Sequence, residues 1–230
     1  MANIEVHIGN RVIPLLIRNS RLAKRLSLRI SPAKDKVVMT LPRRASLASG
    51  MKFLNSKTDW VLANIEAEQP VALTDGTILP VLGRNLLIRR MSGRGTTFID
   101  YENLMLTVYG APEFAARRVK DFLKKMMREE CTKRVETIAQ KLGKAPSKVI
   151  ISRAGSRWGS CTAHGVISLN WLLAFAPPHI LDYVIAHETA HLIEMNHSPR
   201  FWRLVEQLYP DAKTARQWLK KEGYRLHRYE

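Results

Sequence analysis

The sequence predicts an α+β fold: a β-rich N-terminal unit over residues 1–110, then a mixed helical and β domain over residues 111–230. Three observations carry this. Apolar residues alternate with period two through much of the first hundred positions, the spacing of half-buried strands. From Pro112 to Leu142 they recur at helical spacing instead, and Gly143 ends the run. A further buried helix then opens at Pro177-Pro178 and carries His187-Glu188-Thr189-Ala190-His191.

Each element has its own signal. Ile4-Val6-Ile8 and Val12-Pro14-Leu16 flank Gly9-Asn10, a hairpin pattern. Leu26-Leu28-Ile30 and the run from Val37 to Leu41 make a second pair around Asp35, closed by Pro42. A helical stretch from about Ser46 to Glu68 follows, with Phe53, Leu54, Trp60, Val61, Leu62 and Ile65 as its expected core. Two more hairpins turn near Gly83-Arg84-Asn85 and near Glu102-Asn103. The helix from Pro112 buries Val119, Phe122, Leu123, Met126, Met127, Val135 and Ile138. Strands are expected over 148–153, 157–161 and 166–169, turning near His164-Gly165. An edge strand among 157–161 and 166–170 is placed to align an extended substrate by β-addition. Trp158, Trp171 and Trp202 are read as core residues.

The chemistry concentrates at residues 187–197. On a helix His187 and His191 stand one turn apart on one face, so both imidazoles grip a single ion. Glu188 lies to the side, placed to take a proton from water without being a ligand. Ile180, Leu181, Val184, Ile185, Leu192 and Met195 give the helix a buried side. Asn196 tolerates the left-handed backbone that ends a helix, and a turn there swings His197 back towards the others. Ser198-Pro199 reads as cap and first position of a helix from Phe201 to Leu208. His197 is the favoured third ligand, because three neutral imidazoles are a well-populated catalytic zinc set; Glu194 and Glu206 are the carboxylate rivals.

Arg157-Trp158-Gly159-Ser160-Cys161, Ile167-Ser168-Leu169-Asn170-Trp171, the HETAH segment and His197-Ser198-Pro199-Arg200-Phe201-Trp202 together resemble the YgjP-like metallopeptidase family. That family is related to the SprT-like and WLM proteases, among minimal gluzincin-like zincins. The resemblance is strongest over residues 110–225. It implies a zincin-like catalytic domain, Zn2+ as cofactor, His187, His191 and His197 as ligands, and Glu188 as general base. The spacing from His191 to His197 equals that of metzincins. Glu194 stands at their glycine position, however, and no methionine follows His197, so a Met-turn is excluded.

The expected function is zinc-dependent hydrolysis of peptide bonds. Glu188 accepts the proton of the attacking water and returns it to the leaving nitrogen. Tyr183, Arg157 and Arg200 are candidates for stabilising the oxyanion, and Asp182 for orienting a ligand histidine. Two alternatives stand beside this reading. A metal-dependent nucleotide (NTP) pyrophosphatase suits the basic charge but not the imidazole donors, since Mg2+ prefers oxygen. A non-catalytic zinc-containing nucleic-acid-associated module has no use for Glu188.

Composition bounds the rest. The net charge is +17, and both halves of the chain are basic. A polypeptide substrate is expected, with nucleic acid or nucleoprotein as a partner through the basic surface. No apolar run is long enough for a membrane span, and the first residues lack the pattern of a signal peptide. Cys131 and Cys161 are too few for a disulfide framework. A cytoplasmic location with both thiols reduced is expected.

Overall fold

Ala2–Ile8 (β1) and Arg11–Ser20 (β2) pair antiparallel across Gly9-Asn10, where Gly9 takes the positive φ of a tight turn. The register sets Val6 opposite Ile13 and Ile4 opposite Leu15, and residues directly opposite share a face. The inward set on β2 is therefore Ile13, Leu15 and Ile17, one residue out of phase with the predicted Val12, Pro14 and Leu16. Val12 is 53% exposed. The run from Val12 to Ile17 is apolar throughout, so its alternation is ambiguous until the turn fixes it. Ser27–Ile30 (β3) pairs antiparallel with Val37–Pro42 (β4), and β4 runs parallel to β2. The strand order is β1-β2-β4-β3.

The structure is a computed structural model that describes residues 2–31, 35–65, 70–153 and 157–229. The helical stretch predicted from Ser46 is two helices, Leu47–Asn55 (α1) and Thr58–Asn64 (α2), broken at Ser56-Lys57. Residues 66–68 of that prediction lie outside the described residues. Ser46 caps α1 by accepting from the Ser49 amide. Leu54, Val61 and Ile65 are buried with β1, β2 and β4 as expected, whereas Trp60 is 42% exposed.

Ile78–Val81 (β5) and Arg84–Met91 (β6) form the next hairpin. Leu82 and Gly83 both have positive φ, as a two-residue type I′ turn requires, which sets the turn one residue earlier than predicted. With Phe98–Asp100 (β7) and Met105–Tyr109 (β8) they make a sheet of order β5-β6-β8-β7, the connectivity of the first sheet repeated. Its apolar face packs into one core with the helix Pro112–Lys141 (α3), joining Leu86, Ile88 and Leu106 to Val119 and Leu123. Every fourth residue of α3 from Ala115 to Ala139 is buried.

The chain accordingly divides into the compact units Met1–Gln69 and Pro70–Glu230. The division predicted at 110/111 falls at 69/70 because the second sheet belongs to the core of α3. Alternation identifies a strand but not the core it serves.

Lys148–Ser152 (β9), Gly159–Cys161 (β10) and Val166–Asn170 (β11) form a three-stranded sheet of order β10-β11-β9, with β9 and β11 parallel and β10 at an edge. Asn170 caps a short turn over Trp171–Phe175 by accepting from the Leu172 amide. Three helices close the unit: Pro178–Ala190 (α4), Pro199–Leu208 (α5) and Ala212–Glu222 (α6). The sequence reading did not draw α6. Helix α4 is buried around most of its circumference, Ile180, Leu181, Val184, Ile185 and Ala190 being 3% exposed or less. Arg134 of α3 bonds both Glu130 and Asp182, tying α3 to α4. Among the described residues no helix is long and apolar enough to cross a membrane.

Candidate metal centre

Helix α4 delivers His187 and His191 on one face, with ring centroids 5.2 Å apart. The helix ends at Ala190, sooner than the predicted Asn196, and His191 is its cap residue. Leu192 to Glu194 continue in tightened turns, with amide bonds back to Thr189 and Ala190. The fold thereby brings the Glu194 carbonyl within 2.9 Å of His191 Nδ1. A carbonyl only accepts, so Nδ1 carries the proton and Nε2 of His191 keeps its lone pair for a ligand.

The reversal after Met195 uses chemistry other than the predicted left-handed Asn196. Among the described residues only Leu82 and Leu104 have positive φ without being glycine. Asn196 instead accepts the Ser198 amide on its side-chain oxygen at 3.1 Å, a side-chain turn that bends the backbone. Ser198 then caps α5 by accepting from the Phe201 amide, with Pro199 in the first turn, as predicted. His197 returns by this route, its centroid 5.2 Å from that of His187 and 4.9 Å from that of His191.

These three histidines form a group able to hold one ion, their ligand-capable nitrogens all within 4.8 Å of one another. The carboxylates of Glu194 and Glu206 are not in the group. Glu194 serves through its backbone carbonyl. The donor set fits zinc on distance as well as chemistry. Nε2 of His187 and Nε2 of His197 face each other at 3.2 Å. Two nitrogens bound tetrahedrally at about 2.0–2.1 Å stand about 3.3 Å apart. Nδ1 of His187 is buried without a hydrogen-bond partner among the described residues. Asp182, the predicted orienting carboxylate, is engaged by Arg134 instead.

The electrostatics favour neutral imidazoles. Burial, together with the nearby His191, His197 and Arg216, pushes His187 down to about 4. Burial also lowers His191, against the stabilising effect of the Glu194 carbonyl. Metal ligation needs the unprotonated ring, so neither has to shed a proton near neutrality. Glu188 moves the other way. It is 5% exposed, and burial raises its carboxyl to about 7 against the opposing pull of Arg157.

Strand β10 lies directly against that carboxyl. A Cβ on Gly159 would stand 2.5 Å from Glu188 Cγ and 2.6 Å from Oε1, so only glycine permits this approach. A cavity of about 170 Å³ opens beside His187 and Glu188, walled by Trp158, Tyr183, Val184 and Leu219. Of the two strands proposed to line the cleft, β10 is the sheet edge and β11 is interior. Burial raises Tyr183 above the ordinary phenol range and keeps it a hydrogen-bond donor. Arg157 is close enough to act on the charge of Glu188, and both it and Arg200 are exposed. Burial and the charge of Glu188 raise Cys161, which holds a neutral thiol.

Three residues of the site were missed from sequence. Phe201, fully buried, stacks on His191 at 4.4 Å and meets His187 and His197 edge-on, an apolar floor beneath all three rings. Trp202, read as core, stacks on His197 at 5.6 Å. Arg216 of α6 lies over Trp202 at 4.7 Å and adds positive charge near His187 and Tyr183. The helices that carry them were legible. Phe201 and Trp202 follow His197 by about one helical turn, and Ala212, Ala215, Trp218 and Leu219 have helical spacing.

No curated protein and no solved structure matches the chain. The family model of the YgjP-like metallopeptidase domain matches residues 24–222. That span holds both motif strands and the whole histidine group, and on this coverage the chain belongs to the YgjP-like metallopeptidase family.

Proposed function

We propose that the protein is a zinc-dependent peptidase in which His187, His191 and His197 hold the ion and Glu188 is the general base. The observation that carries this is the convergence of three imidazoles beside a buried carboxyl raised to about 7. When bound, the ion supplies Lewis acidity that polarises a carbonyl and acidifies water. Glu188, beside the ion, takes a proton from the attacking water and returns it to the leaving nitrogen. The backbone of β10, at the sheet edge, aligns an extended peptide by β-addition. The cavity between Trp158 and Leu219 receives an apolar side chain. Tyr183, Arg157 and Arg216 supply donors and positive charge for the developing oxyanion. The two cysteines are free thiols, which suits the reducing cytoplasm.

The test compares zinc-loaded wild type with Glu188→Gln on unstructured protein and on nucleoside triphosphates. Peptide cleavage that drops at least ~100-fold in the variant, with zinc retained, supports the reading. Cleavage that survives the substitution removes Glu188 from the mechanism. Phosphate release without proteolysis, lost in the variant, replaces the peptidase with a nucleotide hydrolase.

A further inference from the structure

The metal centre leaves a large groove of the second unit without a task. The loop joining β6 to β7 and the outer face of the first half of α3 enclose a groove of about 650 Å³. Its walls carry Arg94 from the loop and Arg117, Arg118 and Lys125 from α3, against Asp121 and Glu129. Arg118 is committed, since its guanidinium donates to the Tyr109 carbonyl. Arg94, Arg117 and Lys125 are exposed and have no carboxylate partner among the described residues. Lys120, Lys124 and Arg128 add positive charge on the adjoining faces of the helix.

Charge alone fits any polyanion, but the aromatic residues narrow the choice. Phe114 is 44% exposed and precedes Arg117 and Arg118 by about one helical turn, so it lies on the same face of α3. The Arg117 guanidinium lies over its ring at 5.4 Å. Phe122 lines the groove itself. The loop is seated rather than loose. Gly95 packs so closely on the Tyr109 ring that a Cβ there would stand 2.5 Å from it. Cations interleaved with exposed aromatic rings on a rigid support are how proteins hold unpaired bases by stacking and their phosphates by charge. A duplex keeps its base faces inside its own stack, and an anionic membrane has no such faces to offer.

We propose that this groove binds single-stranded nucleic acid, with phosphates on Arg94, Arg117 and Lys125 and bases stacked on Phe114 beside them. The surface is independent of the metal chemistry.

The test is fluorescence anisotropy on the full chain with labelled oligo(dT), oligo(U), a duplex of equal length and phosphatidylserine vesicles, across a salt series. Single strands are expected to bind at least ~10-fold tighter than duplex. Comparison of oligo(dT) with oligo(U) identifies DNA or RNA as the preferred strand. The triple variant Arg94→Ala/Arg117→Ala/Lys125→Ala should lower the slope of log K against log salt by about 2, the loss expected for three single-strand phosphate contacts. Phe114→Ala should weaken single-strand binding about 5-fold or more. A charge-matched control, Arg203→Ala/Lys213→Ala/Lys220→Ala, should bind as wild type. All these positions are exposed, so circular dichroism should be unchanged throughout. Equal affinity for duplex, binding to vesicles alone, or a triple variant no weaker than the control would overturn the proposal.

Discussion

Glu188 and His187 are adjacent in the chain, and burial moves their titrations in opposite directions. Glu188 rises from 4.5 to about 7, so in the metal-free fold its ionisation costs stability that grows as pH climbs from about 4.5 and is complete above 7. His187 falls from 6.5 to about 4, so its cost appears as pH drops from 6.5 towards 4. Glutamine removes the first cost and leaves the second. Metal-free Glu188→Gln should therefore gain stability over metal-free wild type at pH 8 but little at pH 5, by up to about 3 kcal/mol. Urea unfolding at the two pH values measures it; an equal gap at both would mean that Glu188 is not held in its neutral form. Gly159 is the second sensitive position. A methyl group there collides with the Glu188 side chain. Gly159→Ala should cost about 100-fold in peptidase rate with zinc content unchanged, since a displaced base loses its line to the reacting water.

At the scale of elements, the site depends on how α4 ends and α5 begins. His197 sits between the Asn196 side-chain turn and the Ser198 cap, and these fix its return towards α4. Ser198→Ala removes a cap worth about 1 kcal/mol, which should loosen zinc by roughly 5-fold in a competition titration against a chelator. Unchanged affinity would show that Phe201 and Trp202 hold the ring without help from the cap. The same segment shows what a sequence reveals and what it hides. HETAH, His197 and Ser198-Pro199 announce the histidine group and the second helix because each carries its own local chemistry. The early end of α4 was hidden, because the bond from His191 to the Glu194 carbonyl arises only when the turn has formed. The phase of β2 was hidden by an unbroken apolar run, and Arg216 by its distance along the chain from the motif. Spacing reports local periodicity. It is silent on which distant element closes a cavity.

Across the whole molecule, the two units have separate cores, and the three histidines, Glu188, β10 and α6 all belong to the second. The sheet from β5 to β8 contributes to that core, so a cut at 110 would strip α3 of its apolar cover. Residues 70–230 expressed alone should fold and retain about one zinc per chain, whereas residues 111–230 should not; circular dichroism and metal analysis decide it. Such a fragment failing to hold zinc would show that the first unit supports the site. The most direct measurement of the central claim is zinc K-edge X-ray absorption on the purified full chain. Three imidazole nitrogens at about 2.0–2.1 Å with one oxygen donor, and no sulfur, is the predicted first shell. A sulfur shell near 2.3 Å, or fewer than three imidazoles, would contradict it.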